Sequence, residues 1–214
     1  MSGEFVSHME DVLDLYQQPA DPACPVVCFD ERPVQLVSET RLPLPAQPGQ
    51  PARYDYEYRR EGTANLFAVF HPAAGWRHVQ ATERRTRVDF ARAMQELVDV
   101  HFPQAAVIRV VLDNLNTHSA ASLYEAFPPA EARRIARKLE FHYTPKHGSW
   151  LNMVEIEFAI LERQCLGRRI PSRASLAQEV AAWEQARNAR RATVDWRFTT
   201  DTARTKLKAL YPSV

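Results

Sequence analysis

The sequence lacks several features that would assign it to a special class of protein. Cysteine is scarce, and the three thiols, Cys24, Cys28 and Cys165, have no spacing that suits a disulfide framework or a zinc site. We therefore expect small buried thiols in a reducing cytoplasm. No apolar run approaches the length of a membrane span. Residues 1–10 are acidic and lack the apolar region of a secretory signal, so we expect no membrane partner.

An excess of charge of one sign is also missing, because the net charge of the 214 residues is only +1. The distribution is uneven, however. Residues 158–214 carry eleven Lys and Arg against five Asp and Glu, whereas the remainder carries 16 against 21. A basic C-terminal part suits a phosphate backbone, and an acidic remainder suits bound cations. An ordinary solvated basic surface explains the same distribution equally well.

Apolar periodicity and turn residues predict an α/β fold. We expect strands at residues 26–31, 64–70, 76–81, 107–113 and 139–143, and helices at residues 10–16, 86–101, 119–126, 129–138, 151–166, 172–190 and 200–210. The first three strands follow one another directly and the later ones are linked by helices. This order predicts a mixed five-stranded sheet flanked by helices on both faces.

The composition also suggests three parts. Residues 1–24 are expected to form the tail of a helix and a linker rich in Pro and Asp, residues 25–192 the main α/β domain, and residues 193–214 a helical extension.

Three acidic residues stand at the ends of predicted buried elements. Asp30 and Asp113 each end an apolar strand, and Glu155 lies at the start of a helix that follows the Thr-Pro turn at 144–145. A lone carboxylate at such a place is costly without a cation. Each acid taken alone is better explained as a cap or turn residue, but together they predict a metal site. Glu157 is the alternative third acid, although two residues along a helix it points about 200° away.

Three sequence blocks carry a family resemblance. Val27–Glu31, Val111–His118 and Thr144–Phe158 resemble the signature blocks of bacterial transposases of the insertion sequence 630 family, which are relatives of mariner-type elements. The resemblance spans nearly the whole chain. It implies a ribonuclease H-like fold and makes residues 25–192 the catalytic domain.

The resemblance also implies that Asp30, Asp113 and Glu155 are the catalytic triad and hold two Mg²⁺ or Mn²⁺ ions. The gap of 41 residues between Asp113 and Glu155 is longer than is usual in mariner-type relatives, so the helices at 119–138 could include an insertion.

The implied function is DNA transposition. The resemblance implies metal-dependent phosphodiester hydrolysis at element ends and transfer of the 3′-hydroxyl into target DNA. The partners would be double-stranded DNA, with TA as the target, and a second copy of the chain, in the nucleoid of the bacterial cytoplasm. Family members usually begin with helix-turn-helix modules, for which there is no room before Asp30. The alternatives are an inactive remnant that binds DNA or oligomerises, and a related nuclease of the same fold.

Five residues near the predicted triad are candidates for substrate contact. Asn114, Asn116 and His118 follow the second aspartate and could position a phosphate or the carboxylates, although bonds within a turn are equally expected of Asn. Lys146 and His147 could contact the scissile phosphate, or they could be solvated loop residues.

Other residues received simpler interpretations. Glu31 is expected on the opposite strand face from the triad, and Trp150 and Phe158 are expected in the core. A basic group near the end of the catalytic helix could bind the DNA backbone or could be a solvated charge run: Arg163, Arg168, Arg169 and Arg173.

Overall fold

The computed structural model describes residues 3–212, which form seven α-helices and five strands. The helices are α1 (Gly3–Gln17), α2 (Arg87–Glu96), α3 (Ala121–Ala126), α4 (Pro129–Ala136), α5 (Val154–Leu161), α6 (Arg173–Ala189) and α7 (Thr200–Lys206). The strands are β1 (Val26–Glu39), β2 (Tyr58–His71), β3 (Trp76–Thr82), β4 (Ile108–Leu112) and β5 (Leu139–Tyr143). No helix among these residues is both long and apolar enough to cross a membrane.

One sheet with the strand order β3-β2-β1-β4-β5 forms the centre of the described chain. β1 and β2 pair antiparallel, as do β2 and β3, whereas β4 runs parallel to both β1 and β5. The predicted mixed sheet of five strands is therefore confirmed.

Apolar side chains fill the space on both faces of this sheet. On β1, Cys28 packs in a cluster with α1, α5, α6 and α7, whereas Val27 and Phe29 pack in a second cluster with α2, α3 and α4. Successive side chains of a strand point to opposite faces, so this alternation builds two cores from one strand. The prediction of helices on both faces is also confirmed.

The first strand is longer than predicted. It continues past Glu31 to Glu39 and pairs with β2 until Glu39 lies opposite Tyr58. The prediction ended at residue 31 because the apolar run ends there. Much of the outer part of this hairpin is exposed, so backbone pairing rather than a buried face defines its length.

Two predicted helices are interrupted by π-helical turns. Helix α2 begins after Thr86. This residue caps it in a reciprocal pair of hydrogen bonds with Asp89, so the predicted N-cap is confirmed. Its last predicted turn, Leu97–His101, is π-helical. The helix predicted at residues 151–166 starts at Val154 instead, and it too ends in a π-helical turn, at Glu162–Leu166.

The N-terminal helix is longer and more deeply packed than the predicted tail at residues 10–16. α1 starts at Gly3 and buries Met9, Val12 and Leu13 in the same apolar cluster as α5. At the other end of the chain, α7 contacts α1, where the hydroxyl of Thr200 donates a hydrogen bond to Asp14. The division of the chain at residues 24 and 192 stays a prediction.

Candidate active site

The parallel pairing of β1 and β4 brings the two aspartates together. Cys28 lies opposite Val111 in the last pair of this register, and each of the two aspartates, Asp30 and Asp113, follows its member of that pair by two residues. Side chains two apart on a strand share one face. Since Cys28 belongs to the apolar cluster that contains α5, Asp30 lies on the α5 side of the sheet, and Asp113 lies just past the end of β4.

Backbone and amide hydrogen bonds fix the start of α5 against β1. The buried side chain of Asn152 donates from Nδ2 to the carbonyl of Phe29 (2.8 Å), the residue before Asp30. The N–H of Glu155 in turn donates to the carbonyl of Asn152 (3.1 Å). The third acid is therefore held near the first through a single amide. Asn152 lies within the third family block, but no pattern in the sequence singles it out.

The three acids share one electrostatic environment. Asp30 is 8% exposed, and burial raises the pKa of its carboxyl group to about 7. The N–H of Glu31, which donates to Oδ1 of Asp30 (2.7 Å), opposes this rise in pKa, whereas the negative charges of Asp113 and Glu155 add to it. The charge of His118 acts in the opposite sense. The carboxyl group of Asp30 is therefore close enough to both other acids for their charges to raise its pKa, as a shared cation site requires.

His118 is fully buried between two carboxylates. Its Nδ1 lies 2.5 Å from Oδ1 of Asp113, and its Nε2 lies 3.1 Å from Oε2 of Glu31. Burial alone would lower the pKa of His118, but these two carboxylates outweigh it and raise the pKa to about 9. The residue is therefore an imidazolium at neutral pH, with the ring of Phe90 packed 4.9 Å from its own. Glu31, expected to face away from the triad, supports Asp113 through this histidine.

The donor set of the three acids fits a hard divalent cation. Carboxylate oxygens are the ligands that Mg²⁺ and Mn²⁺ prefer. Oδ1 of Asp113 is buried beside Nδ1 of His118 (2.5 Å), but the side chain of Asp113 as a whole is 34% exposed and so stays accessible to a cation. The carboxylate oxygens of the three acids do not all lie within 4.8 Å of one another, so the acids do not surround one ion as they stand. An open set of acids is compatible with more than one ion.

Glu157, the alternative third acid, belongs to a different network. Its carboxylate lies 3.0 Å from Nε of Arg77 and 2.8 Å from Nη2 of Arg187. Both Glu157 and Arg77 are almost completely buried, at 2% and 1% exposure. This ion pair ties α5 to β3 and α6, in agreement with the expectation that Glu157 points away from the aspartates.

A groove of about 830 Å³ opens beside Asp113. Asn114, Lys146 and His147, three of the predicted substrate-contact residues, line it. Trp150 also lines the groove and is 44% exposed, so the prediction that it lies in the core is wrong. The reason is that residue 150 lies in the turn before α5, where its ring contacts Phe198 edge-on instead of entering the core. Phe158 is buried as predicted, and Asn116 is exposed.

The turn that carries Lys146 and His147 depends on a glycine. A Cβ on Gly148 would lie 2.6 Å from Cγ of Pro145 and 2.9 Å from its carbonyl oxygen. No side chain fits at that separation. The Pro-Lys-His-Gly sequence therefore fixes the close return of the chain between β5 and α5.

The four arginines near the end of α5 differ in their contacts. Arg169 forms an ion pair with Glu39 and donates to the carbonyls of Asp55 (2.7 Å) and Glu57 (2.8 Å), so it fastens the loop between β1 and β2. The other three are exposed, with Arg168 paired to Glu179. Contact of any of them with DNA stays a prediction.

Comparisons with known proteins agree with this architecture. The family model described as DDE superfamily endonuclease matches residues 25–177. The fold is similar to that of the Mos1 strand transfer complex (TM-score 0.59, 16% identity, 86% of this chain and 53% of that chain). It is also similar to the Mos1 mariner paired end complex with Mn (TM-score 0.57, 15% identity, 89% of this chain and 59% of that chain).

These likenesses confirm the ribonuclease H-like fold class, and the chain spans little more than half the length of these neighbours. No curated protein is significantly similar in sequence. Because the family model covers more than half of the chain, the protein belongs to the DDE superfamily of endonucleases.

Proposed function

We propose that the chain is the catalytic domain of a DNA transposase of the insertion sequence 630 type. The convergence of Asp30 within β1, Asp113 just after β4 and Glu155 at the start of α5 carries this proposal. The chain corresponds to little more than half of the Mos1 proteins, so the proposal concerns the catalytic steps.

The three acids would hold two Mg²⁺ or Mn²⁺ ions. When bound, such ions activate the attacking oxygen and stabilise the leaving oxygen of an in-line displacement at phosphorus. The protein contributes the frame. His118 holds the carboxylate of Asp113 in place from the β4 side, and Asn152 holds the start of α5 against β1. Both are positioning residues, because neither faces solvent.

The groove beside Asp113 is the proposed path of the reacting strand. Lys146 and His147 at its rim offer donors to a phosphate, and the exposed ring of Trp150 offers an apolar surface to a sugar or base. Both the nucleophilic water and, after cleavage, the 3′-hydroxyl would enter through this groove. The exposed arginines near the end of α5 would contact the backbone of the duplex further away from the scissile phosphate.

The substrates would be double-stranded DNA at the element ends and a target at TA dinucleotides. The Mos1 neighbours include paired-end complexes, and by analogy we propose that two copies of this chain act together, one for each element end. In a bacterium such a complex would act at the nucleoid.

A cleavage and joining assay tests the proposal. The full chain is incubated with Mn²⁺ or Mg²⁺ and a duplex that carries the terminal sequence flanking its gene. We expect strand cleavage and joining of the 3′-hydroxyl end to a plasmid, both abolished by Asp113→Asn and Glu155→Gln. Asp195→Asn is the matched control, because this exposed aspartate pairs only with its neighbour Arg197 among the described residues.

The outcomes separate the three functions. Cleavage without joining would indicate a nuclease of the same fold rather than a transposase. Loss of both reactions, even with a pre-nicked duplex that supplies the 3′-hydroxyl, would indicate a remnant without catalytic function.

A further inference from the structure

We propose that His78, Glu96 and His101 form a second metal site, which binds a transition metal ion such as Zn²⁺. The site lies on the edge strand β3 and the end of α2, and it shares no residue with the acidic triad.

The three side chains are spaced as ligands of one ion. Their donor atoms all lie within 4.8 Å of one another, the only such group of three among the described residues. Nε2 of His78 and Nε2 of His101 lie 3.7 and 3.6 Å from the same oxygen, Oε1 of Glu96. Bonds of about 2.0–2.1 Å to a tetrahedral Zn²⁺ place neighbouring ligand atoms about 3.4 Å apart. The two nitrogen–oxygen separations are therefore within a few tenths of an ångström of the separation that a bound ion requires.

The two imidazole nitrogens have no other task. Nε2 of His78 and Nε2 of His101 are buried and have no hydrogen-bond partner within residues 3–212. Buried polar atoms without a partner are rare and costly. A cation between the two rings and the carboxylate would satisfy both nitrogens at once.

Glu184 supplies the outer support that histidine ligands usually have. Its Oε1 lies 3.3 Å from Nδ1 of His78, and its Oε2 accepts a hydrogen bond from the N–H of Val79 (2.7 Å). A proton on Nδ1 would leave the lone pair of Nε2 directed at the proposed ion. The carboxylate–histidine–metal arrangement thus comes from α6 and β3 together.

The π-helical turn at the end of α2 brings Glu96 and His101 to one side. Residues five apart on a regular α-helix differ by about 140° in direction. Here the N–H of Phe102 donates to the carbonyl of Leu97 (2.9 Å), a bond that spans five residues. This widened turn reduces the angle between the two side chains. The local deviation from α-helix is therefore what allows both to reach His78.

The chemistry of the ligands distinguishes this site from the acidic triad. Two imidazoles and one carboxylate suit Zn²⁺ and related ions, whereas Mg²⁺ prefers oxygen alone. The side chains of His78 and Glu96 are partly exposed, so an ion can enter and a water can complete the coordination. A bound ion would tie β3 to α2 directly and to α6 through Glu184, so we expect it to stabilise the sheet edge.

Zinc titration of the full chain tests the proposal. We expect one Zn²⁺ per chain that survives Asp113→Asn, and a rise in Tm of roughly 5–10 °C when free zinc is about 100 times Kd. His101→Gln should abolish this binding, and Glu184→Gln should weaken it by about 10- to 100-fold. His142→Gln is the matched control, since His142 also lies between two carboxylates but both of its ring nitrogens are partnered (2.8 Å each).

Co²⁺ gives a second measurement that needs no variant. Substitution of Co²⁺ into the wild-type chain should produce visible d–d absorption of a four-coordinate nitrogen and oxygen site, and Zn²⁺ should displace it. The proposal is overturned if zinc leaves the Tm of the wild-type chain unchanged. It is equally overturned if Asp113→Asn removes the binding, or if His101→Gln retains it with an unchanged far-ultraviolet circular dichroism spectrum.

Discussion

Two glutamates in the first turn of α5 should separate stability from catalysis. Glu157 is buried against Arg77 and Arg187, whereas Glu155 belongs to the acidic triad. Glu157→Gln leaves the buried guanidinium of Arg77 without its partner charge. Breaking a buried ion pair costs about 3–5 kcal/mol. For a chain of this length each kcal/mol changes Tm by about 2–4 °C, so we expect a loss of roughly 6–20 °C.

Glu155→Gln should have the opposite profile. The substitution removes a negative charge that opposes ionisation of Asp30, so the Tm of the metal-free protein should not fall. Strand cleavage, however, should be lost. The folded fraction of Glu157→Gln should still cleave at low temperature.

Thermal unfolding in EDTA and cleavage at 15 °C measure these two profiles. An unchanged Tm for Glu157→Gln would refute the structural assignment of that residue. A fall in Tm for Glu155→Gln as large as that for Glu157→Gln would show that the two glutamates do not have separate tasks.

Three further predictions concern the residues around the triad. In metal-free protein, ionisation of Asp30 (pKa raised to about 7) should lower the free energy of unfolding by up to about 4 kcal/mol as the pH rises from about 4 to 7, and Asp30→Asn should remove this pH dependence in urea unfolding. His118→Asn should raise the Mg²⁺ concentration needed for half-maximal cleavage by about 10- to 100-fold; an unchanged metal requirement would exclude a positioning role. Asn152→Ala should lower stability by about 1–3 kcal/mol, because the carbonyl of Phe29 loses its buried donor, whereas the exposed Asn114→Ala should not.

The sign of the pH effect follows from the direction of the pKa shift of Asp30. Its carboxyl group binds a proton more tightly in the folded state than in the unfolded state, where the pKa is near 3.8. Stability from this group is therefore complete at low pH and is lost as the pH rises towards 7. Asp113 and Glu155 face the group with negative charge and His118 with positive charge, and a bound cation should reverse the effect.

The parts of the fold with a clear apolar period could be predicted from the sequence. The sequence predicts β5 with the correct bounds and β4 within one residue, because β4 is a short apolar run and β5 alternates large apolar and polar residues between turn signals. The outer half of β1 could not be predicted, since it is exposed and carries no such period. The early turns of α1 were missed although Met9, Val12 and Leu13 have helical spacing, because residues 10–16 were interpreted as a tail.

The three acids proposed for the site can be recognised from the sequence, whereas the side chains that support them cannot. Asp30, Asp113 and Glu155 were recognisable as polar ends of apolar elements and as family blocks. The contact of His118 with Glu31 joins residues 87 apart in sequence, and that of Asn152 with Phe29 joins residues 123 apart. Such pairings depend on which strands become neighbours, and no local pattern records them. For the same reason, the histidine cluster at β3 emerged only from the structure.

The hydrogen bond from Asn152 to Phe29 has a consequence for how the site can deform. It links the peptide just before Asp30 to the residue at the start of α5 that also accepts a hydrogen bond from Glu155. Asp30 and Glu155 are therefore connected through one short set of hydrogen bonds. Asp113 hangs from a different strand and is braced by an imidazolium. Thermal motion at the proposed site would therefore change mainly the distance from Asp113 to the pair Asp30 and Glu155, and the three acids would not move independently.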